Sequence, residues 1–148
     1  MVDASARGNA DWMAAGGCGE ILNKPTINPM VASKVTRALN TPFQISTTRN
    51  ALATYTVQMT VTASISGGQN GDVLLETADD SAFTANVETV NLTGFGLTYT
   101  LAVALQGVQP DKRSVMGAIA AGKWVRLRTV NNTGTPTFSY LGGQEILM

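Results

Sequence analysis

Hydrophobic and polar positions alternate most regularly in the middle of the chain. Tyr55, Val57, Met59, Val61, Ala63 and Ile65 are interleaved with Thr54, Thr56, Gln58, Thr60, Thr62 and Ser64. A period of two sends successive side chains to opposite faces, so this stretch predicts a long strand with one apolar and one Thr-rich face. Gly67-Gly68-Gln69-Asn70-Gly71 reads as a turn, followed by a strand over Val73–Thr77 that the polar Asp79-Asp80-Ser81 closes. A shorter strand is expected over Val87–Leu92, ending before Gly94 and Gly96. Another is expected from Leu97 to Gln106, where Leu97, Tyr99, Leu101 and Val103 alternate with Thr98, Thr100, Ala102 and Ala104. Gln109-Pro110-Asp111-Lys112 reads as a turn, because proline presets its own φ and aspartate bonds back to the backbone. Further strands are expected over Arg113–Ala120, Trp124–Val130 and Thr137–Tyr140, with Glu145-Ile146-Leu147 at the C-terminal end. Seven or eight strands without a long helix predict an all-β fold, an antiparallel, jelly-roll-like β-sandwich or a barrel.

The first forty residues read differently. They are rich in Gly, Ala and Asn, carry isolated apolar residues, and are broken by Pro25 and Pro29. A helical turn over Ala10–Ala15 and another over residues 31–39, where Val31, Val35 and Leu39 recur every fourth position, are the local expectations. Trp12, Ile21 and Leu22 are too large and too isolated to find a core within so sparse a segment. The organisation expected is an extended or irregular N-terminal segment over 1–40 and a β-sandwich head over 41–148.

Composition narrows the function classes. Among 148 residues the formal net charge is zero and only 14% are charged, which argues against an electrostatic nucleic-acid binder. A domain of this size buries enough surface to fold without disulfide or metal. The single cysteine, Cys18, lies between Gly17 and Gly19 with no nearby cation to activate it, and reads as a small filler. No stretch reaches the length of a transmembrane helix, and no basic-then-apolar signal peptide opens the chain.

Several segments carry a resemblance. Asp11-Trp12 followed by Ile21-Leu22-Asn23-Lys24-Pro25-Thr26 resembles a motif of phage tail fibres, although Met13 stands where that family usually has a polar residue and Cys18 is unusual in the spacer. Leu39 to Ser46, Leu75 to Thr84, and Gly122 to Thr129 continuing through Gly134-Thr135-Pro136 are similar to the C-terminal domain of such fibres. The resemblance implies the receptor-binding tip of a homotrimeric fibre of a tailed phage or a related bacteriocin, with a β-sandwich head. Its partners would be two further copies, a bacterial surface polysaccharide or lipopolysaccharide, and the rest of the fibre or baseplate. Such a protein is made in the host cytoplasm, resides in the virion, and neither binds nucleic acid nor inserts into a membrane.

Catalytic chemistry has little to start from. Histidine is absent, which removes the commonest general base and metal ligand. The glycine-rich run at 67–71 lacks the Lys-Ser/Thr of a phosphate loop. Glu76, Asp79, Asp80 and Glu88 could supply a carboxylate pair for a depolymerase or esterase, but they read first as a solvated turn. Neither a catalytic group, a metal site nor a cofactor is expected, and the reading is a non-enzymatic adhesion module. A connector binding another tail protein is a third alternative. Trp124 shares a face with Arg126 and Arg128, either as a sugar-stacking platform or, preferably, as packing against a neighbouring strand or subunit, with the arginines as intersubunit or cross-strand salt-bridge partners. The receptor-binding candidates are Tyr99, Asp111, Lys112 and Arg113, an aromatic beside a charged tip. Trp12, Ile21 and Leu22 are the candidates for the trimer interface.

Overall fold

The computed structural model describes residues 29–61, 67–99 and 110–148. Eight strands follow one another, β1 (Val31–Val35), β2 (Phe43–Gln44), β3 (Ala51–Thr60), β4 (Gly67–Ala78), β5 (Glu88–Tyr99), β6 (Asp111–Ile119), β7 (Trp124–Thr133) and β8 (Thr137–Leu147). They form two four-stranded sheets, ordered β1-β8-β3-β6 and β2-β7-β4-β5, in which every pairing is antiparallel. No helix occurs among the described residues. Only β4 and β5 are joined within one sheet. Every other connection crosses between sheets, which is the strand order of an eight-stranded jelly roll.

The alternation along β3 sets the core. Ala51, Ala53, Tyr55, Val57 and Met59 are at most 1% exposed, while Leu52 and the Thr-rich positions between them look outward. Opposite them stand Val73 and Leu75 of β4, Phe95 of β5, and Val125 and Leu127 of β7. Two edge-to-face ring contacts join the sheets, Phe43 with Tyr55 at 5.9 Å and Phe95 with Phe138 at 5.6 Å between centroids. Along one flank the border strands β5 and β6 are stitched by side chains. Asn91 Nδ2 donates to Met116 O at 2.7 Å and Thr93 Oγ1 to Ser114 O at 3.2 Å.

Several expected turns are strand. Gly67 to Gly71 begins β4 instead of reversing the chain, and the reason lies at Gly71. A side chain there would meet Val130 O and come within 2.9 Å of Phe138 Cζ, so the glycine marks a close approach inside the sandwich. Gly94 and Gly96 likewise do not end a strand, because β5 pairs with β4 from Gly67↔Tyr99 to Thr77↔Glu88. Pro110 precedes a strand that already includes Asp111 and Lys112. The two pieces expected near the C-terminus are one strand, β8, with an irregularity opposite Thr56 and Val57. The strand expected from Leu97 enters β5 as far as Tyr99; its remainder lies outside the described residues, as does the Ala10–Ala15 turn.

The boundary at residue 40 also shifts. Val31–Val35 is not a helical turn but an edge strand, paired with β8 from Val31↔Leu147 to Val35↔Gly143. Leu39 packs against the core, and Arg37 reaches inward to Glu145 at 2.7 Å. Residues 31–39 therefore belong to the sandwich. Four-residue spacing of Val and Leu is also met by a short, partly covered strand, and β-branched Val favours the strand.

Gly71→Ala is expected to cost about 2 kcal/mol or more, because backbone and ring atoms cannot yield to the added methyl. Gly96→Ala, whose nearest neighbour would be Asn70 Cβ at 3.8 Å, serves as the comparison. Urea denaturation of the two variants checks this, and equal midpoints would contradict it.

Candidate functional site

The sandwich has two distinct ends. At one, Arg49 gathers the termini of the described fold. Its Nη2 donates to Pro29 O at 2.6 Å and to Leu147 O at 3.1 Å, and its Nε donates to Met148 O at 3.3 Å. The β4–β5 turn and the β6–β7 turn lie at this end too, and the N-terminal segment joins here. At the other end β3 finishes, β4 and β6 begin, β5 finishes, and β7 turns into β8.

The sequence candidates in the head fall at that second end. Asp111 and Arg113 stand opposite Met59 and Val57 on the inner side of β6, where the core gives out. Arg113 Nε donates to both carboxylate oxygens of Asp111, at 3.1 and 3.0 Å, and Gly96 N donates to Asp111 Oδ2 at 3.4 Å. The Arg113 guanidinium lies 5.8 Å from the Phe95 ring centroid, while half of its side chain stays exposed. It closes the end of the core and still presents donors to solvent. Lys112, exposed, points to the outer face of its sheet. Tyr99 is the last residue of β5, three positions beyond the Gly96 that contacts Asp111; its side chain lies outside the described residues. The structure thus brings Asp111 and Arg113 together and places the Tyr99 backbone at the same end. Trp12, Ile21 and Leu22 lie outside the described residues.

A second polar cluster covers the outer face of the β2-β7-β4-β5 sheet. Glu76, only 3% exposed, accepts from Arg126 Nη2 at 2.8 Å and Arg128 Nε at 2.8 Å. The register places Arg126 beside Glu76 and Arg128 beside Leu74, so these are cross-strand pairs on the face they share with Trp124. The turn after β4 folds back over them. Phe83, in the left-handed region at φ 55°, is buried beneath the Arg126 guanidinium, 4.2 Å from its ring centroid. The 126/128 spacing announced the shared face, but nothing local announced that Glu76 would be their buried partner.

Of the remaining carboxylates of the suggested hydrolytic set, Glu88 is exposed at the start of β5, while Asp79 and Asp80 hold that turn in shape. Asp79 pairs with Lys123 and accepts from Asn86 Nδ2. Asp80 accepts from Thr84 N at 2.8 Å, from Thr84 Oγ1, and from Ala85 N at 3.3 Å. The Lys123 and Asn86 contacts hold the Asp79 carboxyl below its ordinary range, and those from Thr84 do the same for Asp80. A general acid at neutral pH needs the opposite shift. Asn70, Asn91 and Asn132 lie in β4, β5 and β7, where Asn132 donates to Asp72 Oδ2 at 2.7 Å.

Among the described residues no three His, Cys, Asp or Glu side chains are grouped to hold a metal ion. A shallow depression of about 270 Å3, lined by Asn50, Ala118, Ile119, Ala120 and Met148, opens at the end where the termini meet and contains no ionisable side chain. Comparison with protein-family models, curated proteins and solved structures finds no match.

Because both carboxyls titrate below their ordinary values in the fold, the stability they contribute is present above about pH 4 and lost as the pH falls through the depressed values. The double variant Asp79→Asn, Asp80→Asn should therefore show a shallower loss of melting temperature on acidification than the wild-type chain. Parallel melting curves across that range would contradict the assignment.

Proposed function

We propose that the chain is the adhesive head of a phage-type tail fibre, a homotrimer that recognises a bacterial surface polysaccharide or lipopolysaccharide without cleaving it. The observation that carries this reading is the polarity of the head. The segment bearing Asp11-Trp12 and Ile21 to Thr26 joins at the end where the chain termini meet, and Asp111 and Arg113 lie at the other end. A fibre tip requires that arrangement, attachment at one pole and recognition at the other. Three copies pointing the same way multiply weak contacts, since linking binding sites raises apparent affinity by orders of magnitude without new contacts. Trp12, Ile21 and Leu22 pack about the threefold axis in this reading.

The engagement of Asp79 and Asp80 in the turn, and of Glu76 with two arginines, favours adhesion over a depolymerase. Arg113, half exposed at that end, supplies donors suited to anionic sugar groups.

Labelled wild-type protein should be retained on host cells and not on non-host cells, with no release of soluble sugar. The variant Arg113→Ala should lose retention by about tenfold or more while its trimer stays intact. Absence of retention on every strain, in a preparation shown by light scattering to be trimeric, would overturn the reading.

A further inference from the structure

The two outer faces of the sandwich differ in charge, and the difference singles out one of them. The β2-β7-β4-β5 face carries Asp72, Glu76, Arg126 and Arg128 and is partly roofed by the turn holding Phe83. The β1-β8-β3-β6 face carries only Lys34 and Lys112, which stand on its two border strands. The central strands β3 and β8 place no charged side chain on it. Apolar side chains lie open there instead, Leu52 at 39%, Leu141 at 49% and Met116 at 59% exposed, with Ile146 beside Leu52 in the register. The rest of the face is mostly threonine, serine and glutamine, with Ala32, Ala118 and Gly142, and Thr56 and Ser114 bond each other across it at 2.9 Å. Depletion of charge around exposed apolar side chains is the compositional mark of an interface core.

We infer that this face is the contact surface between copies of the chain, turned toward the axis of the assembly. The inference rests on the trimer proposed above. Two observations select a second copy as the occupant. The 28 residues before Pro29 join at a corner of this same sheet, where β1 starts opposite the end of β8. Copies tied through those residues therefore bring this corner of each sheet together. Met30 and Met148 extend the open apolar surface there, at 73% and 47% exposed. Size agrees as well. Four strands of up to about ten residues, at roughly 3.3 Å per residue and 4.8 Å between strands, offer roughly 600 Å2. A stable association needs about 800 Å2 per partner, so this face and its apolar corner supply most of it.

Thiol accessibility in the full-length chain tests the inference. In a Cys18→Ser background, Met116→Cys places a thiol on this face, and Leu92→Cys places one on the opposite outer face, where Leu92 is 52% exposed. A bulky maleimide should react with the Met116→Cys variant about tenfold more slowly or worse than with the Leu92→Cys variant, and at equal rates in urea. Sedimentation on the same samples separates the two ways of failing. A trimer with equal thiol rates overturns this assignment and leaves the trimer standing. A monomer overturns the trimer and, with it, the assignment.

Discussion

A carboxylate placed inside an apolar sandwich has to find its hydrogen-bond donors there, and Glu145 imposes that requirement on the centre of this fold. It is 5% exposed and faces inward from β8. Arg37 answers with two bonds, Nε at 2.9 Å and Nη2 at 2.7 Å, and Tyr55 Oη donates a third at 2.7 Å. Arg37 is fixed in turn over the Phe43 ring at 4.4 Å, and Phe43 meets Tyr55 edge-on. The segment between β1 and β2 is thereby held where it crosses from one sheet to the other. Just beyond, Asn40 N donates to Leu127 O at 2.8 Å and its Oδ1 accepts from Thr129 N at 2.9 Å, completing the edge of β7 where β2 is too short to pair. Burial first, and the bond to Glu145 second, push the Tyr55 hydroxyl far above its ordinary range, so it stays a neutral donor. The bond to Glu145 likewise raises Arg37, which remains charged.

Around that centre, charge is distributed unevenly. Ionisable groups gather on one face or at the ends, where they pair with each other: Glu76 with two arginines, Asp79 with Lys123, Asp111 with Arg113. The other face keeps threonines and open aliphatic side chains. A soluble monomer gains nothing from this segregation, since isolated surface ion pairs contribute little to stability. An assembly gains a dry contact face while its polar groups stay wet, which ties the proposed adhesive function to the packing of the head.

Sequence patterning revealed the strands that bury one face and misjudged those shaped by close approach. The alternation around Tyr55 announced β3 because its inner positions meet the core directly. Gly71, Gly94 and Gly96 suggested turns, since local propensity cannot register that Val130 and Phe138 crowd one glycine or that a neighbouring strand holds the others extended. Val31 to Val35 carried no strand signal because, in this edge strand, only Val35 is partly buried and no alternation is required. The face shared by Arg126 and Arg128 was legible from their spacing, but neither their partner Glu76 nor the pairing of Arg37 with Glu145, 108 residues apart, had a local signature. Asp111 reads as a turn residue beside Pro110 but opens β6, which carries it with Arg113 at the end of the sandwich opposite the termini.

A double-mutant cycle on Arg37→Met and Glu145→Gln, read by urea denaturation of the full chain, tests the central constraint most directly. If the buried pair holds the crossing segment in place, the two changes should be coupled by about 2 kcal/mol, each single variant leaving the other group stranded. Additive effects, with coupling below about 0.5 kcal/mol, would show that the sandwich does not depend on the pair.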